Sequence, residues 1–403
     1  MSSPITNLTA EAAPAGRTAQ LLKTAAYYAA FVALGLANAS LGPTLPGLAE
    51  QTQTRLSEIS YLFTARSLGY LLAALLGGRL YDRQPGHTLM ATMLLLMAAM
   101  LALAPLVPAL WLLMLILLLL GIAESGLDVG GNTLLVWVHR DKVGPFMNGM
   151  HFFFGVGAFL SPIIIAQALL LGGGITWAYW TLALLMLPAA IWLLRQSSPS
   201  LPAVSASEPA RPINGALVAL IALFFFLYVG AEVSYGGWIF TYTVARGLGS
   251  ETAAAYLTSA FWGSLTAGRL LSIPVAARLR PRAILGLGLA GCLGSVAVIL
   301  LWPHSLTAVW LGTLSLGLSM ASIFPTTLSL AERHLPISGR VTGWFFVGAS
   351  LGGMSLPWLI GQLFEAIGPH VTILAITAAL IAAVAVFVTL MLYLSMISSR
   401  TSA

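Results

Sequence analysis

Twelve apolar stretches, each close to the length of a membrane crossing, follow one another through a chain of 403 residues. A helix needs about 20 mostly apolar residues to cross a bilayer. Runs of that kind lie near 22–46, 57–80, 88–107, 109–138, 145–170, 176–194, 214–242, 251–274, 283–302, 305–330, 341–365 and 371–397. In lipid every backbone N–H and C=O must find its partner inside the protein, and a helix does this within its own segment. The expected fold class is therefore an all-α polytopic membrane protein with twelve transmembrane helices. Composition points the same way: 59% of the residues are hydrophobic and 7% charged, against about 25% charged in a soluble chain. The net charge of +6 sits mostly in short loops between apolar runs and does not indicate nucleic acid. A single cysteine, Cys292, excludes an internal disulfide.

Loop charges set the orientation. Fourteen of the 18 Lys and Arg residues fall on the side of the chain ends, two (Arg55 and Arg246) fall on the other, and Arg66 and Arg269 lie within spans. By the positive-inside rule both termini are expected to be cytoplasmic. The first twenty residues show no basic start, apolar core and cleavage site, so the first span is expected to direct insertion itself. Residues 196–213 are rich in Ser, Pro and Ala, which cannot build a core and read as a flexible linker. The expected organisation is a cytoplasmic tail over 1–21, a six-helix bundle over 22–195, the linker over 196–213, a second six-helix bundle over 214–397 and a tail over 398–403.

The halves repeat. Asn148-Gly-Met-His-Phe-Phe-Phe-Gly155 leads on to Pro162 and Gln167, and Thr342-Gly-Trp-Phe-Phe-Val-Gly348 to Pro357 and Gln362. Arg66 and Arg269 form a looser pair in the second and eighth spans. The repeats run in the same direction, which implies a pseudo-two-fold axis along the membrane normal.

Within the fourth run, Gly121–Asn132 carries two carboxylates and an amide at four-residue spacing: Glu124, Asp128 and Asn132. On a helix these share one face. An ionised group at the bilayer centre costs at least about 2.5–3.5 kcal/mol, so that face must look into a cavity or at a partner. The equivalent stretch of the tenth span, Gly317–Leu328, places Met320 and Phe324 where the carboxylates align, so the polar face belongs to the N-terminal half alone.

Twelve spans, a six-plus-six repeat and a central linker resemble the major facilitator superfamily. Gly77-Gly-Arg-Leu-Tyr-Asp-Arg-Gln-Pro-Gly-His87, between the second and third spans, resembles its signature loop G-x-L-x-D-R-x-G-R through Gly78, Asp82, Arg83 and Gly86. It departs at Arg79, at the inserted Pro85 and at the final His87. Leu41-Gly-Pro-Thr-Leu-Pro46, Arg66-Ser-Leu-Gly-Tyr70, Asp128-Val-Gly-Gly-Asn132, Met150-His-Phe-Phe-Phe-Gly155 and Val229-Gly-Ala-Glu-Val-Ser-Tyr-Gly236 are similar to the sodium-dependent glucose transporter group, related to fucose permeases. This resemblance implies two pseudo-symmetric bundles of the major facilitator fold and symport of a hexose or similar small polar solute. Fucose permeases handle a proton with a first-span aspartate and a fourth-span glutamate. Here the first span offers only Asn38.

Individual residues carry two readings each. Glu124 and Asp128 either pair with Arg66 or Arg269 and hold helices together, or they couple a cation. A carboxylate beside an amide offers the hard oxygens sodium prefers, so Asp128 and Asn132 are the expected sodium ligands, with Glu124 as a further coupling candidate. The same carboxylates can instead carry a proton. Gly126, Gly130 and Gly131 either admit a close neighbour or free carbonyls towards a cavity. In the seventh span Glu232, Tyr235, Trp238 and Tyr242 share a face, and Gly236-Gly237 suggests a broken helix. An aromatic face with one carboxylate suits a sugar; the alternative, an interfacial aromatic belt, fits Tyr242 best. Asn38, Glu124, His151, Glu232, Tyr235, Trp238, Trp262 and Trp344 are the expected solute contacts. Arg66 and Arg269 are expected in intramembrane ion pairs, and Arg66 could alternatively meet an anionic solute. Three carboxylates against two arginines favour a neutral solute with a cation. Asp82, Arg83 and Arg140, with Lys142, are expected to gate the cytoplasmic side.

The chain has no Gly-x-x-x-x-Gly-Lys-[Ser/Thr] loop for ATP, no zinc-like His spacing and no nucleophile with a nearby base, so it is not expected to be an enzyme or to hold a cofactor beyond a coupling sodium ion. The expected function is cation-coupled symport, sodium favoured, of a sugar or similar small polar solute by alternating access. A proton-coupled sugar porter, a drug efflux antiporter and a solute-sensing membrane receptor are the alternatives. The expected surroundings are the lipid bilayer of a bacterial inner membrane, and the expected state is a monomer.

Overall fold

A computed structural model describes residues 14–199, 214–335 and 339–401. The first span is made of α1 (Pro14–Asn38) and α2 (Leu41–Thr52), and the second of α3 (Leu56–Ile59) and α4 (Tyr61–Tyr81). The third to sixth are α5 (Gly86–Leu103), α6 (Leu110–His139), α7 (Val143–Leu170) and α8 (Gly174–Leu194). The seventh to ninth are α9 (Gly215–Ala245), α10 (Glu251–Ala276) and α11 (Pro281–Leu301). The tenth combines α12 (Leu306–Met320) and α13 (Ile323–Glu332), and α14 (Gly339–Ile367) and α15 (Val371–Thr401) complete the chain. Among the described residues, eleven of these units are long and apolar enough to cross a membrane. The other, α10, is 26 residues long, but Ser, Thr, Gly and Arg269 along it lower its hydropathy.

Terminal helices run further than the apolar runs. The first starts at Pro14, inside the expected 1–21 tail, and the last reaches Thr401, inside the expected 398–403 tail. Proline suits the first turn of a helix, where its missing N–H has no intrahelical role. Residues 200–213, most of the expected linker, lie outside the described residues.

Besides the single-residue joint at Ser60 in the second span, two spans are broken, at Ala39–Ser40 and at Ala321–Ser322. In each case a proline follows four residues after the first residue of the break, Pro43 after Ala39 and Pro325 after Ala321. Proline cannot donate to the carbonyl four residues back, and its ring crowds that carbonyl. The seventh span behaves differently from expectation. Gly236-Gly237 does not break it, and α9 runs continuously over 31 residues. A Cβ on Gly236 would stand 2.8 Å from the Trp262 ring, and one on Gly237 would stand 2.7 Å from the Phe63 ring. These glycines make room for neighbouring rings, which explains the pair without a break.

Helix packing follows the repeat. In the N-terminal half α4 packs on α6, α1 on α7 and α5 on α8; in the C-terminal half α10 packs on α12, α9 on α14 and α11 on α15. Backbones touch at equivalent crossings. A Cβ on Gly121 would lie 2.0 Å from the Arg66 carbonyl, and one on Gly317 would lie 2.6 Å from that of Phe261. Small residues of this kind are what lets membrane helices approach closely.

The halves meet on the side away from the chain ends. Glu365 accepts from the Leu56 amide at 3.0 Å, and Gln362 Nε2 donates to the Ser57 carbonyl at 2.6 Å and to Ser60 Oγ at 3.2 Å. Gln167 Nε2 donates to the Tyr256 hydroxyl at 2.6 Å, and Ser259 Oγ to the Phe159 carbonyl at 2.6 Å. Gly42 of α2 sits against α9, where a Cβ would come within 2.5 Å of the Gly236 carbonyl. On the side of the chain ends, α6 and the helices α12 and α13 share no comparable packing among the described residues.

Candidate functional site

The polar face of α6 meets α4 in two rungs one helical turn apart. In the first, Arg66 Nε donates to Glu124 Oε2 at 2.8 Å and Arg66 Nη2 donates to Glu124 Oε1. In the second, the Tyr70 hydroxyl donates to Asp128 Oδ2 at 2.5 Å. Both helices carry their polar groups four residues apart, Arg66 and Tyr70 facing Glu124 and Asp128. The backbones are drawn together by Gly69 and Gly121, where a Cβ would lie 2.0 Å from the opposing carbonyl.

Arg66 has a further task. Its Nη1 donates to the Asn38 carbonyl at 3.1 Å and its Nη2 to the Ala37 carbonyl at 3.2 Å. These are the last carbonyls of α1, at the break in the first span. A cation at a helix C-terminus is favoured by the helix dipole as well as by the unpaired carbonyls. Arg66 therefore ties spans one, two and four together. Its side chain is 12% exposed and that of Glu124 2%, and theirs is the one direct ion pair among the described residues. Glu124 is held in this bidentate pair.

Asp128 is placed differently. Besides Tyr70, its Oδ1 accepts from Asn132 Nδ2 at 2.9 Å, and Asn132 Nδ2 also donates to the Asp128 carbonyl at 2.8 Å. No cationic side chain pairs with Asp128 among the described residues. Its glycine neighbours do not open the helix, since α6 is continuous from Leu110 to His139. Met93 lies over Gly126, the Tyr81 ring over Gly130 and the Phe31 ring over Gly131, and the Tyr81 hydroxyl donates to the Gly126 carbonyl at 2.8 Å. The glycines thus admit close neighbours rather than freeing carbonyls. One carboxylate with two neutral hydrogen-bonding groups, partly exposed and without a countercharge, can take up one small cation or one proton.

A second polar group lies in the C-terminal half. Glu232 of α9 is partly buried beside the Tyr228 hydroxyl and within electrostatic reach of Arg269 of α10. Arg269 in turn acts on His151 of α7, across the inter-half seam. The expected ion pair of Arg269 does not form within 4 Å among the described residues. The Tyr228 hydroxyl donates to the Met320 carbonyl at 2.9 Å, so it caps the break in the tenth span much as Arg66 caps that in the first.

The other expected solute contacts divide. Trp262 is 7% exposed, and its buried indole N–H has no hydrogen-bond partner among the described residues. Asn38 is partly buried at the end of α1, with its carbonyl on Arg66. His151 packs edge-on against Phe31. Tyr235 and Trp238 are fully buried and satisfied inside the C-terminal half, the Tyr235 hydroxyl with Thr313 at 2.6 Å and the Trp238 indole donating to the Pro357 carbonyl at 3.0 Å. Both rings face the packed interior of this structure, and Tyr242 is likewise buried rather than at an aromatic belt. Trp344 is 54% exposed and is not gathered with the others. Asp82, Arg83 and Arg140 are exposed and make no ion pair among the described residues.

Sequence reading missed two residues. Tyr70 lies in the quoted Arg66–Tyr70 stretch, and its four-residue offset from Arg66 mirrors that from Glu124 to Asp128. His87, where the signature loop would carry a basic residue, is 1% exposed. Its Nε2 meets the Tyr27 hydroxyl at 2.7 Å and its Nδ1 the Gln196 carbonyl at 3.1 Å, while its backbone N–H donates to Ser198 Oγ at 3.0 Å. It holds the residues that lead into the linker against the N-terminal half.

A family model described as Major Facilitator Superfamily matches residues 27–357. Sodium-dependent glucose transporter 1 of Xenopus laevis is 32% identical over 373 residues, covering 85% of this chain and 76% of that protein. Sodium-dependent glucose transporter 1 of Homo sapiens is 32% identical over 373 residues, covering 83% and 72%. Major facilitator superfamily domain-containing protein 4A of Homo sapiens is 26% identical over 461 residues, covering 88% and 90%. Among solved structures, a crystal structure of the nucleoside transporter NupG superposes with a TM-score of 0.75 at 14% identity, covering 92% of this chain and 99% of that one. At that identity the likeness concerns the fold.

Proposed function

The chain belongs to the major facilitator superfamily, and from that premise we propose that it is a cation-coupled symporter, with sodium the favoured ion, of a sugar or similar small polar solute. The observation that carries the proposal is the unequal treatment of two carboxylates on one helix face: Glu124 is paired with Arg66, whereas Asp128 has no cationic partner among the described residues. Such a group in a membrane is costly unless a cation reaches it. The Asp128 carboxylate and the Tyr70 hydroxyl beside it are hard oxygen donors suited to sodium, and a turn of the Asn132 amide, whose Nδ2 now faces Asp128, would add a third. The relatives named sodium-dependent glucose transporters support the choice of ion and solute class.

The solute lies between the halves, against Glu232, Arg269, His151 and Asn38, with the free indole N–H of Trp262 as a donor for a hydroxyl. Buried donors and acceptors without internal partners suit a polyhydroxylated solute, because each unmade bond costs about 1–3 kcal/mol. Cation binding favours the conformation that binds solute, to the extent that the ion prefers that conformation. The termini lie on the cytoplasmic side of a bacterial inner membrane, and one copy of the chain carries out the cycle.

The test is uptake of radiolabelled monosaccharides into proteoliposomes under an inward sodium gradient. Replacing external sodium by choline should abolish accumulation. Accumulation driven equally well by a pH gradient without sodium would assign the same carboxylate to a proton instead.

A further inference from the structure

The turn between α10 and α11 reads Arg278-Leu-Arg-Pro-Arg282. All three arginines are exposed, and among the described residues none forms an ion pair or a side-chain hydrogen bond. The repeat-related turn in the N-terminal half places Asp82 beside Arg83, whereas this one carries no acid at all. Pro281 opens α11, and the first turn of that helix holds no acidic residue, so the positive pole of the helix dipole adds to the same spot. Three like charges and a helix N-terminus within one turn repel one another, and an anion placed against them relieves that repulsion.

The flanks narrow the kind of anion. Leu271 on the last turns of α10 is 63% exposed, Ile273 and Val275 beside it are exposed, and Leu287 on α11 is 65% exposed. The cationic turn therefore stands between exposed apolar residues of two membrane-spanning helices, on the side of the chain ends. A soluble anion would use the arginines and leave those apolar residues bare. A lipid with an anionic headgroup uses both, because its acyl chains lie along α10 and α11 while its phosphate meets the guanidinium forks, which match phosphate geometry.

We propose that Arg278, Arg280 and Arg282 form a binding site for an anionic phospholipid of the leaflet on the side of the termini. The site lies outside the carboxylate and solute region and is independent of which ion or solute is carried. The lipid holds the end of α10 on the side of the termini, and α10 crosses from its own half to pack on α7, so headgroup charge steadies a contact between the two halves.

The experiment uses the full chain in nanodiscs of phosphatidylcholine with increasing fractions of phosphatidylglycerol, reading thermal stability and the lipids retained in native mass spectrometry. Phosphatidylglycerol should raise the unfolding temperature and stay bound. In the triple variant Arg278→Gln/Arg280→Gln/Arg282→Gln the apparent lipid affinity should fall roughly tenfold or more, since each basic residue near an anionic surface contributes about 1 kcal/mol. Stability in pure phosphatidylcholine should match the parent, which serves as the check on folding. If the glutamine variant fails to fold, Arg→Lys replacement at the same three positions keeps the charge and should keep most of the shift. An equal phosphatidylglycerol response in parent and glutamine variant would overturn the site, and so would a lysine variant that responds no better than phosphatidylcholine alone. A shift of the same size from inorganic phosphate in pure phosphatidylcholine would replace the lipid by a free anion and overturn the proposal.

Discussion

Glu124→Gln removes one charge from the pair that joins α4 to α6. Arg66 then keeps its bonds to the Ala37 and Asn38 carbonyls and one neutral acceptor, but its charge loses the compensating carboxylate in a setting where the pair is only 12% and 2% exposed. Breaking a buried pair by removing one partner costs about 3–5 kcal/mol. The retained acceptor puts this substitution near the lower end, about 3 kcal/mol. Arg66→Met strands the carboxylate and also two carbonyls at the break of the first span, each worth about 1–3 kcal/mol when left unpaired, so it should cost more than Glu124→Gln. Arg66→Met/Glu124→Met leaves no buried charge and should lose at least about 2 kcal/mol less than the sum of its single variants. Reversible unfolding by detergent titration in mixed micelles reads the parent, Glu124→Gln, the single variants Arg66→Met and Glu124→Met, and the double variant. Single variants within about 1 kcal/mol of the parent, or losses that simply add, would refute the view that this pair holds spans one, two and four together.

Gly42→Ala places a methyl against the Gly236 backbone across the inter-half seam. Overpacking of this kind costs about 1–3 kcal/mol in the state that makes the contact, so the far mouth should open, and labelling of a cysteine placed at Thr64 by an impermeant maleimide should speed up by roughly fivefold or more. Tyr70→Phe deletes the hydroxyl bonded to Asp128; the sodium concentration for half-maximal uptake should rise about threefold to tenfold, a loss on the order of 1 kcal/mol, while unfolding in micelles changes little. Trp262→Phe keeps the ring against Gly236 and removes the free indole N–H, so it should raise the half-saturating solute concentration without changing the sodium requirement.

The twelve spans were legible because each apolar run is long enough to cross and its loops carry a one-sided charge. The Asn148–Gln167 and Thr342–Gln362 repeat likewise showed the two bundles, which pack through equivalent crossings. The breaks in the first and tenth spans were not read from the sequence, although Pro43 and Pro325 mark them, because Pro162, Pro188, Pro274 and Pro357 sit inside helices that continue. At single positions the sequence offers only a choice of partners. It set Glu124 and Asp128 on one face, but whether Arg66 would reach the first or the second depends on the register of α4 against α6, which the backbone contact at Gly121 decides. Tyr235 and Trp238 show the same limit: an aromatic stripe at helical spacing is compatible with a solute or with Thr313 and the Pro357 carbonyl, and only packing distinguishes them.

Asp128→Asn keeps the shape of the side chain, its contact with Asn132 and the continuity of α6 while removing the unpaired charge. Solute uptake by proteoliposomes of this variant, with and without an inward sodium gradient, is the most direct measurement. Sodium should no longer stimulate accumulation, while solute should still equilibrate down its own gradient. Sodium-stimulated accumulation that survives in Asp128→Asn would contradict the placement of cation coupling at this carboxylate.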